Sequence, residues 1–254
     1  MKRAFVTFAT PNYFPLLEVA VRSVGQFSKY PIVVYGINSD VQFSEDYDHV
    51  ILRRIDVEYS GGQIFYQKFN ILIHALRDEG FDELIYVESD DIVNYNIDEL
   101  FDRCERIDKF PLSPVHPDNV MNQGNLMTQL GVSQRTQPYV HAHMIVNRSC
   151  LPFLEECYNI SKSLTVHAPN WDESLLNVML WKYGLTDYYT DIYDPYFESY
   201  KTYIGEGDVL SVHGYENKKI SFHMIHGCKD ASYALTILEK ITQFNKNKNL
   251  ITTL

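Results

Sequence analysis

The chain has 254 residues, of which 45% are hydrophobic and 22% charged, with a formal net charge of −11. That length suits one large α/β domain with an ample core. The acidic balance argues against nucleic-acid binding, which needs a basic footprint, and against an anionic membrane surface. An anionic substrate would require local Lys or Arg, or a metal. No run approaches the ~20 apolar residues of a membrane helix. The leading stretch MKRAFVTFATPNYF is interrupted by Thr7, Thr10 and Asn12, unlike a signal peptide. The four cysteines, Cys104, Cys150, Cys157 and Cys228, form no C-x-x-C pair. Free thiols in a reducing, cytoplasmic setting are therefore expected. Without a secretion signal, the glycosylation sequons at Asn147 and Asn159 read as chance matches.

In chain order, AFVTFA (4–9) reads as a short buried strand, followed by a turn at Pro11 and Asn12. Residues 13–27 carry helical spacing, with Leu16, Leu17, Ala20, Val21 and Val24 on one side. PIVVYG (31–36) is a second strand and HVILRRIDV (49–57) contains a third. Gly61 and Gly62 mark a loop. A helix over roughly 65–79 presents Phe69, Ile71, Leu72 and Ala75, and ELIYV (83–87) is the fourth strand. This order predicts a mixed, mostly parallel sheet flanked by helices. Residues 118–137 are polar and carry Gly124 and Gly131, which predicts a long loop. YVHAHMIVN (139–147) alternates like a strand. Helices are expected over 151–160 and 172–184, the second ending on Gly184. A Tyr-rich stretch (188–203), a last strand pair (208–225) and a helix from Ala231 to about Asn245 complete the pass. One domain is expected, with a nucleotide-binding half over 1–105, an acceptor and catalytic half over 106–246 and a flexible tail over 247–254.

Two clusters carry chemistry. At the end of the fourth strand, YVESDDIVNYNIDELF gathers Glu88, Asp90 and Asp91 in four positions. Like charges this close repel, and a divalent cation would cancel the repulsion. Oxygen donors suit Mn²⁺ or Mg²⁺, which can bridge a diphosphate. An acidic turn that only caps the next helix is the plainer reading. Further on, SFHMIHGCKD places His223, His226, Gly227 and Lys229 within seven residues. An imidazole can complete a metal site, a glycine lets backbone N–H groups approach phosphate, and a lysine adds positive charge. Any one of these alone would more often be a core histidine, a turn glycine or a surface lysine.

The acidic segment resembles that of glycogenin-like and lipopolysaccharide-galactosyltransferase-like sugar transferases. Their pattern is hydrophobic–Asp–x–Asp–x–hydrophobic–Val, followed by Ile-Asp-Glu-Leu-Phe. The resemblance implies a GT-A fold, α/β and Rossmann-like, acting on nucleotide sugars. It places the metal on Glu88 and Asp90, with Glu88 departing from the usual Asp. The family's carboxyl-terminal signature, His, then Gly three and Lys six residues on, matches His223 and Lys229. Gly227 is one place late, and His226 stands at the Gly position. TFATPNYFPLLEVAVRS is similar to the family's first strand and helix, implying that Ala9, Thr10 and Tyr13 hold base and ribose. NWDESLLN is similar to Asp-Gln-Asp-x-Leu-Asn, which puts Asp172 on the transferred sugar and Glu173 near the reacting carbon. His141, Ala142 and His143 stand where the family has Asn-Ser-Gly, a place that contacts the donor. Lys68 falls where the family often has a basic donor contact. Tyr13 and Asp172 could equally serve as a helix start and a cap, and Lys68 as a surface residue.

The resulting expectation is a metal-dependent hexosyltransferase that is soluble and cytoplasmic. Its catalytic residues would be Asp172, Glu173 and Asp90. Its donor would be a UDP-sugar, with UDP-glucose or UDP-galactose favoured. The acceptor would be a hydroxyl of a glycan, glycolipid or protein, reached with retention of configuration. A nucleotidyltransferase acting on sugar phosphates, or a non-catalytic nucleotide-sugar binder of the same fold, is the alternative.

Overall fold

The computed structural model describes residues 1–94, 97–115, 123–166, 168–189, 197–199, 224–226 and 230–251. Eight strands are described: β1 (Arg3–Ala9), β2 (Ile32–Ile37), β3 (Val50–Ile55), β4 (Glu83–Tyr86), β5 (Ile92–Val93), β6 (Ile145–Asn147), β7 (Phe197–Ser199) and β8 (Met224–His226). The helices are α1 (Phe14–Phe27), α2 (Gln67–Arg77), α3 (Gly124–Leu130), α4 (Leu151–Ser161), α5 (Trp171–Lys182) and α6, which runs from Ala231 to Ile251. One sheet has the order β3-β2-β1-β4-β6. Within it β2 and β3 run parallel, as do β1 and β4, while β6 is antiparallel to β4. A second, small sheet has the order β5-β8-β7. The mixed, mostly parallel α/β architecture expected from the sequence is thus present. The chain gathers into two compact units, each built from several segments.

The first unit comprises residues 1–7, 56–86 and 100–194. Its strands β4 and β6 pair through Glu83–Asn147, Leu84–Val146 and Ile85–Ile145. Helix α2 buries the predicted stripe of Phe69, Ile71, Leu72 and Ala75, together with Leu76, and packs on α4. Helix α5 is buried nearly all round from Asp172 to Trp181, which is why its sequence lacks a clean amphipathic face. Leu126, Tyr139, Ala168, Val178 and Trp181 form one core cluster here. Two expectations for this unit need correction. The predicted 118–137 loop contains α3, which stops at Gly131 with φ of 70°, a left-handed end that favours glycine. The predicted 139–147 strand begins only at Ile145, because Val140 spends its N–H and C=O on the Asn177 side chain. In addition, a 3₁₀ segment over Gly61–Tyr66 occupies the expected glycine loop, closed by a reciprocal Ser60–Gln63 cap.

The second unit comprises residues 8–55, 87–99 and 195–254. Leu16 and Val19 of α1, Ile92 of β5, Ile225 of β8 and Ala234, Ile237, Leu238 and Ile241 of α6 make its core. Ser23, buried within α1, donates to the Ala20 carbonyl at 2.7 Å and accepts from the Val93 N–H at 3.0 Å, pinning β5 to the helix. Asp230 opens α6 by accepting from the Tyr233 N–H and the Ser232 hydroxyl. These two bonds hold its carboxyl below the usual carboxylate range. The helix continues past Asn245 through residues expected to be tail. Most of the Tyr-rich stretch and most of the 208–225 strand pair lie outside the described residues.

Candidate functional site

The acidic turn sits in the second unit, at the carboxyl end of β4. The chain reverses over Glu88–Asp91, with the Asp91 N–H donating to the Glu88 carbonyl at 3.2 Å. The Asp91 carboxylate folds back and accepts the Glu88 N–H at 2.7 Å. Asp91 is 1% exposed, and this bond closes the turn from inside. Glu88 and Asp90 stand on the same turn two residues apart, and Asp90 is itself buried. The neighbouring parallel strand β1 ends in this unit at buried Ala9. Thr10 follows, and its carbonyl accepts from the N–H of Tyr13, an exposed side chain. In open α/β sheets, ligands bind beyond such carboxyl ends, where the strand order reverses.

Two carboxylates two residues apart on one turn, with the third acid tied to backbone, are hard oxygen donors that match Mn²⁺ or Mg²⁺. Among the described residues, no group of three or more His, Cys, Asp or Glu gathers as a complete centre. His223, Gly227 and Lys229 lie outside the described residues, as does the side chain of His226.

The first unit holds a second cluster. Lys68 and Asp172 pair at 2.7 Å, both nearly inaccessible to water. The Lys68 ammonium also lies 4.5 Å from the centroid of the Tyr86 ring. Lys68 is therefore a buried partner of Asp172 rather than a surface lysine. Burial first, and the Asp172 charge second, push the Tyr66 phenol up to about 12, so its hydroxyl keeps its proton. Tyr66 meets the Trp171 indole edge-on. Trp171 has φ of 37°, a left-handed conformation that costs an L-residue roughly 1–3 kcal/mol. The strain falls on the residue that leads into Asp172 and Glu173. The indole also packs against Gly62, where an added Cβ would lie 1.9 Å from Cε2.

Glu173 is surrounded by donors. Its Oε1 accepts from the Asn170 side chain at 3.1 Å. Its Oε2 accepts from the Ala142 N–H at 3.3 Å and faces His141 Nδ1 at 3.5 Å. The Tyr139 phenol also lies against it, with its pKa raised by burial first and then by the Glu173 charge. His141 and His143 meet edge to face at 5.9 Å, on one side of the chain as the alternation implied. Asn177 fastens this wall to α5, donating to the Val140 and Glu173 carbonyls at 2.7 and 2.8 Å and accepting the Val140 N–H at 2.8 Å. Sequence reasoning passed over Tyr66, Tyr139, Asn170, Trp171 and Asn177. Three of these lie inside the quoted NWDESLLN, and only their contacts distinguish them.

These elements make up a GT-A-type α/β fold. A solved galactosyltransferase, LgtC in complex with donor and acceptor sugar analogues, superposes on it with a TM-score of 0.56. The match spans 94% of this chain and 95% of that one, at 15% sequence identity. No protein-family model matches the sequence, and no curated protein matches it.

Proposed function

We propose that this chain is a glycosyltransferase moving a hexose from a nucleotide-diphosphate sugar to a hydroxyl of a glycan, glycolipid or protein. UDP-glucose and UDP-galactose are the favoured donors. The observation that carries the reading is the acidic turn on this fold, on which Glu88 and Asp90 stand two residues apart as oxygen donors and the Asp91 carboxylate accepts the Glu88 N–H. In this reading Glu88 and Asp90, with His223, hold Mn²⁺ or Mg²⁺, which supplies charge neutralisation at the donor diphosphate. Lys229 adds a positive charge there, and Gly227 lets backbone N–H groups approach the phosphates. Ala9, Thr10 and Tyr13 receive base and ribose. Asp172 orients the transferred sugar, and its buried pairing with Lys68 fixes the carboxylate. Glu173 faces the reacting carbon. The acceptor oxygen bonds to the anomeric carbon as the bond to the diphosphate breaks, and retention follows from the resemblance.

No helix among the described residues is long and apolar enough to cross a membrane. Cys104, Cys150 and Cys157 are free and buried, which accords with a cytoplasmic setting.

The test is nucleoside diphosphate release from UDP-glucose, UDP-galactose, GDP-mannose and dTDP-sugars, with Mn²⁺ or with EDTA. The expected result is metal-dependent release from one donor, lost in Asp90→Asn. No release, together with no metal-linked UDP or GDP binding by calorimetry, would overturn the proposal.

A further inference from the structure

The two places where this chain departs most from the sugar-transferase motifs, His141–His143 and Glu173, touch each other. His141 Nδ1 faces the Glu173 Oε2 that also accepts the Ala142 N–H, while Oε1 takes the Asn170 amide. Both oxygens are thus approached by hydrogen-bond donors. A glutamine at 173 would keep only one acceptor oxygen, and its NH₂ would face either the Ala142 N–H or the Asn170 amide, which would then have to turn over. Donors on both oxygens suit an ionised carboxylate.

We propose that His141, together with Asn170, is a positioning residue that holds Glu173 as an anion in a single rotamer. Its role in turnover rests on the transferase reading above, but the pairing itself does not. The titratable groups around the carboxylate are consistent with it. Tyr139 keeps its proton and can donate to the carboxylate. Asp172, the preceding residue, is neutralised by Lys68. His143 packs edge-on against the His141 ring, leaving Nδ1 toward Glu173. Asn177 fixes the Val140 backbone next to His141, so the imidazole is delivered by a bonded wall rather than a loose loop.

The experiment has two arms. In the first, histidine-labelled protein is titrated by NMR, with the His141 signal identified by its loss in His141→Gln. An anionic neighbour at this distance favours the imidazolium, so Glu173→Gln should lower the His141 midpoint by at least about one pH unit. An unchanged midpoint overturns the pairing whatever the protein's activity. In the second arm, turnover of the donor found above is followed against pH. His141→Ala should lower kcat about a hundredfold with little change in KM, as misplacement of a reacting group does. Its acid limb should move to higher pH, because the carboxylate has lost a donor. His141→Gln, which can still donate, should restore the limb. An unmoved limb in His141→Ala overturns the positioning role. A wild-type protein with neither turnover nor metal-linked UDP or GDP binding overturns the transferase reading and leaves the NMR arm to decide the pairing.

Discussion

Replacing Lys68 with Met would remove an ammonium and keep most of the stem's volume. The Asp172 carboxylate would then lie buried beside Tyr66 with its cation gone. Breaking a buried pair from one side costs about 3–5 kcal/mol. The carboxylate has one escape, which is to take up a proton. With an unfolded-chain value of about 3.9 and about 1.36 kcal/mol for each pH unit, that escape costs about 4 kcal/mol at pH 7 and about 1.5 kcal/mol at pH 5. The loss is therefore capped at about 4 kcal/mol at neutrality and must shrink as the pH falls. The sign follows from linkage: the variant's aspartate has a folded pKa above its unfolded one, so the penalty appears above the unfolded value and vanishes below it. Both tryptophans, Trp171 and Trp181, lie in α5, so their fluorescence reports on the first unit. With a urea slope of about 2 kcal/mol/M, the midpoint should fall by about 2 M at pH 7 and by less than about 1 M at pH 5. The double variant Lys68→Met/Asp172→Leu should regain most of the loss, since an apolar pair can replace a buried ionic one. A single-variant loss under about 1 kcal/mol at pH 7, or one that does not shrink at pH 5, would refute this account.

Asp90 and Asp91 should separate cleanly. Asp91→Ala strands the Glu88 N–H and should cost about 1–3 kcal/mol in urea unfolding, whereas Asp90→Asn should leave stability within about 1 kcal/mol and remove metal-linked UDP binding by calorimetry. Asn177→Ala deprives the Val140 N–H and C=O of their partner. It should cost about 2–4 kcal/mol by thermal unfolding, and an effect below about 1 kcal/mol would show that the wall does not depend on this clamp. Burial pushes the Cys104 and Cys150 thiols up to about 12, and Cys157 is raised as well, so all three stay protonated at neutral pH. A thiol reagent at pH 8 should therefore modify at most one of the four cysteines quickly in the folded protein, and all four in denaturant.

Local chemistry made much of the fold legible. Strands β1 to β4 and helices α1, α2, α4 and α5 lie within a few residues of their predicted bounds, because each carries its apolar period in one continuous segment. Helix α3 was missed because its seven residues offer too few apolar positions to display a period, though Gly131 did mark its end. The 139–147 alternation misled for a different reason. Its bonding partner, Asn177, comes from a helix far along the chain, and no local pattern encodes that. The candidate site divides the same way. The acids were visible as a cluster, but which of them serves the backbone was settled only by the Asp91–Glu88 bond. The Lys68–Asp172 and His141–Glu173 pairings join residues distant in sequence, beyond what spacing can read.

The seat of Trp171 on Gly62 has a consequence for inheritance. The indole occupies the space a side chain at 62 would need, and that indole leads directly into Asp172 and Glu173. A change from glycine at 62 would thus reach the carboxylates through a single intervening ring, although position 62 holds no reactive group. In natural variants of this chain, glycine at 62 and tryptophan at 171 should persist or disappear together, and a smaller residue at 171 should be the first sign that 62 has been released.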